Sequence, residues 1–157
     1  MATKTGIWRV GGGRLLSMLV PLAAVVGFTG CAGPGSNAAP SPKAGLACVD
    51  DSPRCIDQRR IALQSIMGDR SRRWIKQPPT AAAYASGVRL FAFMKQRRSL
   101  NCHELQTGYG EAKAARPVLR AAASQGLTPA QISRGAMLGD EVAGQLKREI
   151  RRRGCRG

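Results

Sequence analysis

Aromatic side chains are scarce in this chain of 157 residues: two Trp, two Tyr and three Phe, 4 % of the total. Acidic residues are few beside basic ones, 9 Asp and Glu against 25 Lys and Arg, and there is a single histidine, His103. The sequence contains no C-x-x-C pair, no glycine-rich phosphate loop, no G-x-S-x-G elbow and no apolar run long enough to cross a bilayer. Each absence excludes something. Without rows of aromatics among the cations there is no stacking platform for single-stranded nucleic acid, and no recognised nucleic-acid motif replaces it. Without a second histidine or a nucleophile elbow, Ser99, Ser124 and Ser133 have no activating context, and Asp140 and Glu141 are adjacent and point apart on a helix. No catalytic residue, cofactor or metal is therefore expected.

The first thirty residues have a clear pattern. Lys4, Arg9 and Arg14 form a positive stretch with no acid near them, and Leu15 to Phe28 (LLSMLVPLAAVVGF) forms an apolar run of the length expected in a secretory signal. At about 1.5 Å per residue that run spans roughly 21 Å of helix, short of a ~30 Å hydrocarbon core. Pro21 interrupts it as well. Export followed by cleavage, not a permanent membrane span, is the expectation.

The apolar run closes on Phe28-Thr29-Gly30-Cys31, small residues immediately before a cysteine. This resembles the lipobox of bacterial lipoproteins, with Phe28 standing where that class usually has Leu. The resemblance covers only the first fifth of the chain. It implies cleavage after Gly30, a diacylglyceryl group on the Cys31 thiol and an acylated amino group, enough chains for stable membrane anchoring. Ala32 follows, not Asp, which by the same resemblance implies the periplasmic face of the outer membrane.

Residues 32–47 read AGPGSNAAPSPKAGLA, a Gly, Pro, Ala and Ser stretch with too little apolar surface to fold, and the expectation is a flexible tether reaching roughly 20 Å. The chain thus divides into a signal over 1–30, a lipidated cysteine with linker over 31–47, and a domain over 48–157. Those last 110 residues suffice for one modest core. Cys48, Cys55, Cys102 and Cys155 remain, an even number in a small exported domain, so two disulfides are expected. Three pairings are possible. Cys48 with Cys55 closes a turn-rich loop, and Cys102 with Cys155 joins the ends of two arms of similar length, so this pairing is favoured. Zinc bound by cysteines and His103 is the rival use of these residues.

Apolar residues recur at three and four, and no segment alternates at two, so the fold expected is all-α with about four helices. The first runs from Ser52 or Ile56 to Met67, with Ile56, Leu63, Ile66 and Met67 on one face. The second follows Pro78-Pro79 and carries Tyr84, Val88, Phe91 and Lys95. The third starts at Asn101 with Glu104 three residues on, and Pro117 kinks or interrupts it. Thr128-Pro129 restarts the chain after Gly126, and the fourth helix carries Leu138, Val142, Leu146 and Ile150 to about Arg153.

Removing the signal takes away three basic and no acidic residues, leaving 22 Lys and Arg against 9 Asp and Glu. On a short tether such a charge favours anionic lipid, phosphate or acidic envelope polymer, and arginine suits phosphate because its planar fork binds two oxygens. Arg72, Arg73, Arg97, Arg98, Arg151, Arg152 and Arg153 are the candidate contacts. The plainer reading makes these solvated helix faces, with Arg148, Arg151 and Arg152 complementing a helix C-terminus. Two other functions stay open. One is a protein adaptor using the Gly135 to Gly139 small-residue groove or the Trp74 segment, and the other an enzyme or metal protein depending on His103.

Overall fold

The computed structural model describes residues 42–155, and the regular structure among them is entirely helical. Six α-helices follow one another: α1 (Pro42–Ala47), α2 (Pro53–Gly68), α3 (Ala81–Ser86), α4 (Val88–Gln96), α5 (Cys102–Ala121) and α6 (Pro129–Arg152), with a 3₁₀ turn over Arg73–Lys76 between α2 and α3. Their starts are written in side-chain oxygens. The Ser52 hydroxyl accepts the Cys55 N–H at 3.2 Å, and Pro53 follows at the first helical position. Asn101 and Glu104 form a reciprocal capping box: the Asn101 carbonyl oxygen accepts the Glu104 N–H at 2.9 Å, and the Glu104 carboxylate accepts the Asn101 N–H at 2.8 Å. Thr128 and Gln131 repeat the device ahead of α6.

The all-α expectation holds, with differences of detail. The helix expected after Pro78-Pro79 is two helices, because Gly87 takes the left-handed conformation (φ 73°) that ends α3 and begins α4. The expected tether is helical in its last six residues, since α1 packs against α2. Pro117 does not interrupt α5, which continues through it to Ala121 with the proline ring exposed. On α2 the buried face is Cys55, Ala62 and Ile66, while Ile56 and Met67 point outward at 50 % and 42 % exposure. The Cys48–Cys55 bond turns Cys55 inward, and Ile56, about 100° further round the helix, goes to the rim.

α5 and α6 form the most extensive helix pair and run antiparallel, joined by residues 122–128. Gly139 lets them approach: a Cβ there would lie 2.8 Å from both the Ala112 carbonyl oxygen and the Ala115 Cβ. Gly135 gives the same room to Leu119 and the Tyr84 carbonyl oxygen. α4 lies along α6 in the parallel sense, since Gly87 meets Leu138 at one end and Arg97 and Arg98 meet Glu149 and Arg152 at the other. Phe93, Leu90, Leu105, Leu119, Val142 and Leu146 fill the space between, fully buried. Trp74 stands edge-on to Phe93, ring centroids 4.6 Å apart, so it closes the core and is not an exposed recognition aromatic.

Both favoured disulfides are formed, Cys48 with Cys55 and Cys102 with Cys155, each with Cα atoms 5.5 Å apart. The second fastens the start of α5 to the end of α6. The sulfurs bond each other, so neither pair is left as the thiolates a zinc site would use. Cys31 and the signal lie outside the described residues.

Candidate functional site

α4 ends at Gln96, which puts Arg97 and Arg98 just beyond its last turn. On α6, Gln145, Arg148, Glu149 and Arg152 stand at intervals of three and four and therefore share a face. Because the two helices run parallel, these six side chains line one groove of about 480 Å³. Four are arginines and one is a carboxylate.

That carboxylate is already committed. Glu149 is buried and accepts from Arg152 (Nε 3.0 Å, Nη2 2.6 Å) and from Arg153 (Nε 2.6 Å). Those hydrogen bonds, Arg152 first, pull its pKa from 4.5 down to about 2 and raise that of Arg152. Arg153 also donates to the carbonyl oxygens of Leu100 (2.6 Å), Arg97 (3.2 Å) and Arg98. The Arg97 guanidinium donates to the Met94 oxygen at 2.7 Å, and the Ser99 hydroxyl to the Gln96 oxygen at 2.9 Å. The open carbonyls at and just beyond the end of α4 thus receive side-chain donors, most of them cationic, as a helix C-terminus favours. The guanidinium groups of Arg98 and Arg148 meet no carboxylate among the described residues and face the groove. They are surplus to the helix ends.

The seven arginines singled out from sequence therefore separate. Arg97, Arg98 and Arg152 converge on the groove. Arg153 is a half-buried clamp beneath it. Arg72 is another: its guanidinium bonds Glu104 at 2.7 Å and the Ser99 oxygen at 3.0 Å, and these contacts hold a backbone at φ 50° that a non-glycine residue rarely adopts. Arg72 and Arg153, only about a quarter exposed and occupied by internal acceptors, are not open anion contacts, whereas Arg152, bonded to Glu149 along one edge, is 65 % exposed and keeps its other edge for the groove. Arg73 lines a different recess beside Trp74, and Arg151 is exposed outside the groove. Arg148, in the basic tail from Lys147 to Arg156 but not among the seven, belongs in the groove. Its spacing of three from Gln145 and four from Arg152 was the available signal.

Two surfaces considered for an adaptor are occupied from within. Gly135 and Gly139 face α3 and α5, and the Trp74 segment is folded over the core. His103 is exposed in the first turn of α5 beside the stapled Cys102, and its ring makes no hydrogen bond among the described residues. Asp50 accepts the Ser52 N–H at 2.8 Å, shaping the loop between Cys48 and Cys55, while Asp51 takes both oxygens to Arg134 at 2.8 Å.

One polar pair had no signal in the sequence. Arg89 and Glu111, 3 % and 6 % exposed, form a forked ion pair (Nε–Oε1 2.8 Å, Nη2–Oε2 2.7 Å), and Arg89 also donates to the oxygens of Trp74 (2.6 Å) and Gln77 (2.9 Å). It anchors the 3₁₀ turn to α4 and α5. Tyr84 nearby is pushed up to about 12, by burial first and then by the Glu111 charge. With every arm of the fork engaged, this pair is a structural clasp.

No family model, curated protein or solved structure matches the chain. No helix among the described residues is long and apolar enough to cross a membrane.

Proposed function

We propose that this chain is an envelope lipoprotein, anchored through Cys31, whose helical domain contacts anionic envelope components through the groove of Arg97, Arg98, Arg148 and Arg152. The observation that carries the reading is the surplus: the groove holds four guanidinium groups, and its one carboxylate is consumed by Arg152 and Arg153. Like charges held side by side on a fold lower its stability, and an arriving anion relieves that repulsion. Two disulfides agree with an oxidising compartment.

The test uses the mature chain, residues 31–157 with Cys31→Ser, so that neither the apolar signal nor acyl chains dominate, mixed with anionic and with zwitterionic vesicles. Each basic residue near an anionic surface contributes about 1 kcal/mol, so Arg98→Gln with Arg148→Gln should weaken anionic-vesicle binding about 30-fold. Raising salt from about 0.05 M to about 0.5 M should weaken it also, since screening shortens to a few ångströms. Binding unmoved by salt and by the paired substitution would sink the reading. The anchor is tested by intact mass of membrane-extracted protein: a chain beginning at an acylated Cys31 supports it, and an unlipidated mass removes it.

A further inference from the structure

The arginine groove is one end of a longer feature. At the other end of the α4–α6 pair lies a second recess of about 330 Å³, lined by Ile56, Leu63, Val88, Phe91 and Leu138 with Arg59 and Arg60 at its rim. It is as apolar as the first is charged. Ile56 stands half-exposed at its edge, an apolar side chain the fold leaves without full cover. The two recesses share a track. Phe91 on α4 and Arg98 just past its end, like Leu138 and Gln145 on α6, are each seven residues apart. At about 1.5 Å per residue that places them roughly 10 Å apart along parallel helices. Between them the seam is surfaced by Met94 and Gln145; the Gln145 Nε2 donates to the Met94 sulfur and to the exposed Glu141 carboxylate one turn back on α6, each at 3.2 Å. Met94 and Gln145 are themselves uncharged, and a methionine side chain adapts readily to what crosses it. Lys95, its ammonium 5.1 Å from the Phe91 ring centroid, adds a cation beside the apolar end.

A bare oxyanion would use only the first recess, and an uncharged apolar ligand only the second. Resting on the arginine-groove reading, we propose that the α4–α6 seam binds a single phosphate-headed amphiphile, the head among Arg98, Arg148 and Arg152 and the acyl chain between Ile56, Phe91 and Leu138. Arginine forks offer a phosphate paired donors, and its charge meets the surplus left once Glu149 is clamped. The apolar recess then takes a short length of chain out of water.

The experiment titrates the mature chain, residues 31–157 with Cys31→Ser, with three probes below their aggregation limits: methyl phosphate for the head, dodecyl maltoside for the tail, and dodecyl phosphate for both, following affinity by calorimetry and position by backbone amide shifts. Each methylene buried multiplies affinity about fourfold, so three to four of them make dodecyl phosphate roughly 100-fold tighter than methyl phosphate. Amides near Arg98 and Arg148 and near Phe91 and Leu138 should move together. Ile56→Asp, at an exposed position that leaves the core intact, should remove the tail's gain and leave methyl phosphate binding unchanged. Dodecyl phosphate binding no tighter than methyl phosphate, or no tighter than dodecyl maltoside, overturns the seam; if anionic vesicles still bind with salt sensitivity, the surface reading survives alone. Failure of every phosphate and every vesicle overturns both.

Discussion

Replacing Arg89 by Met leaves the Glu111 carboxylate buried at 6 % exposure with no cation, and strips the Trp74 and Gln77 carbonyl oxygens of their donor. Breaking a buried pair from one side costs about 3–5 kcal/mol, the larger part being the stranded charge. Unfolding entropy near the midpoint runs at about 2.1 cal/mol/K per residue, or roughly 0.23 kcal/mol/K for a domain of about 110 residues, so Tm should fall by roughly 13–22 °C. The companion Arg89→Met with Glu111→Leu removes the stranded carboxylate and retains only the loss at two carbonyls, worth about 1–3 kcal/mol. The double variant should therefore be more stable than the single. Thermal unfolding followed by far-ultraviolet circular dichroism, with both disulfides intact, reads all three proteins. A single variant that loses less than about 5 °C, or a double variant no more stable than the single, would refute a clasp whose members depend on each other.

Opening Cys102–Cys155 by Ser substitution at both positions should cost about 4 kcal/mol, since it releases a closure spanning 53 residues, whereas the same change at Cys48 and Cys55 releases seven and should cost about 2.5; comparable urea midpoints for the two would count against loop entropy as the cause. Gly139→Ala should destabilise by about 1–3 kcal/mol through contact with Ala112 and Ala115, while Gly110→Ala, with open space around its Cβ, should stabilise by about 0.5–1; reversal of that order would remove close packing as the reason for Gly139. Glu149 carries a depressed pKa, so its stabilisation is present above 4.5 and lost as pH falls through about 2. The gap in urea midpoint between wild type and Glu149→Gln should accordingly narrow from about pH 5 to about pH 2, and a constant gap would contradict the clamp.

What was legible in the sequence is what adjacent residues decide. Asn101 with Glu104, and Thr128 with Pro129, mark helix starts because capping is settled within one turn. The pairing of four cysteines followed from arm lengths. Ile56 and Met67 were misplaced because the periodicity of α2 is weak among its many polar residues, and a disulfide seven residues long sets its rotation instead. The break at Gly87 was hidden because apolar residues recur across it. Arg89 and Glu111 are 22 positions apart, and nothing in a list of charges distinguishes a buried arginine from an exposed one. For the same reason the excess of arginine pointed to a chemistry but not to its place: only the parallel packing of α4 on α6 separates Arg98, Arg148 and Arg152 from the arginines that serve as clamps.

In both disulfides each cysteine joins its next neighbour in the chain, and the two loops neither overlap nor enclose one another. With the Cys31 thiol acylated as proposed, a chain delivered from its N-terminus presents Cys48 and Cys55 as its first free thiols and can seal that pair before Cys102 arrives; Cys102 then waits for Cys155 with no other thiol to compete. Native connectivity is reached by oxidation in order of appearance, without the slow exchange through mixed disulfides that crossed pairings require. Such a chain can mature where an oxidant is present and an isomerase is not.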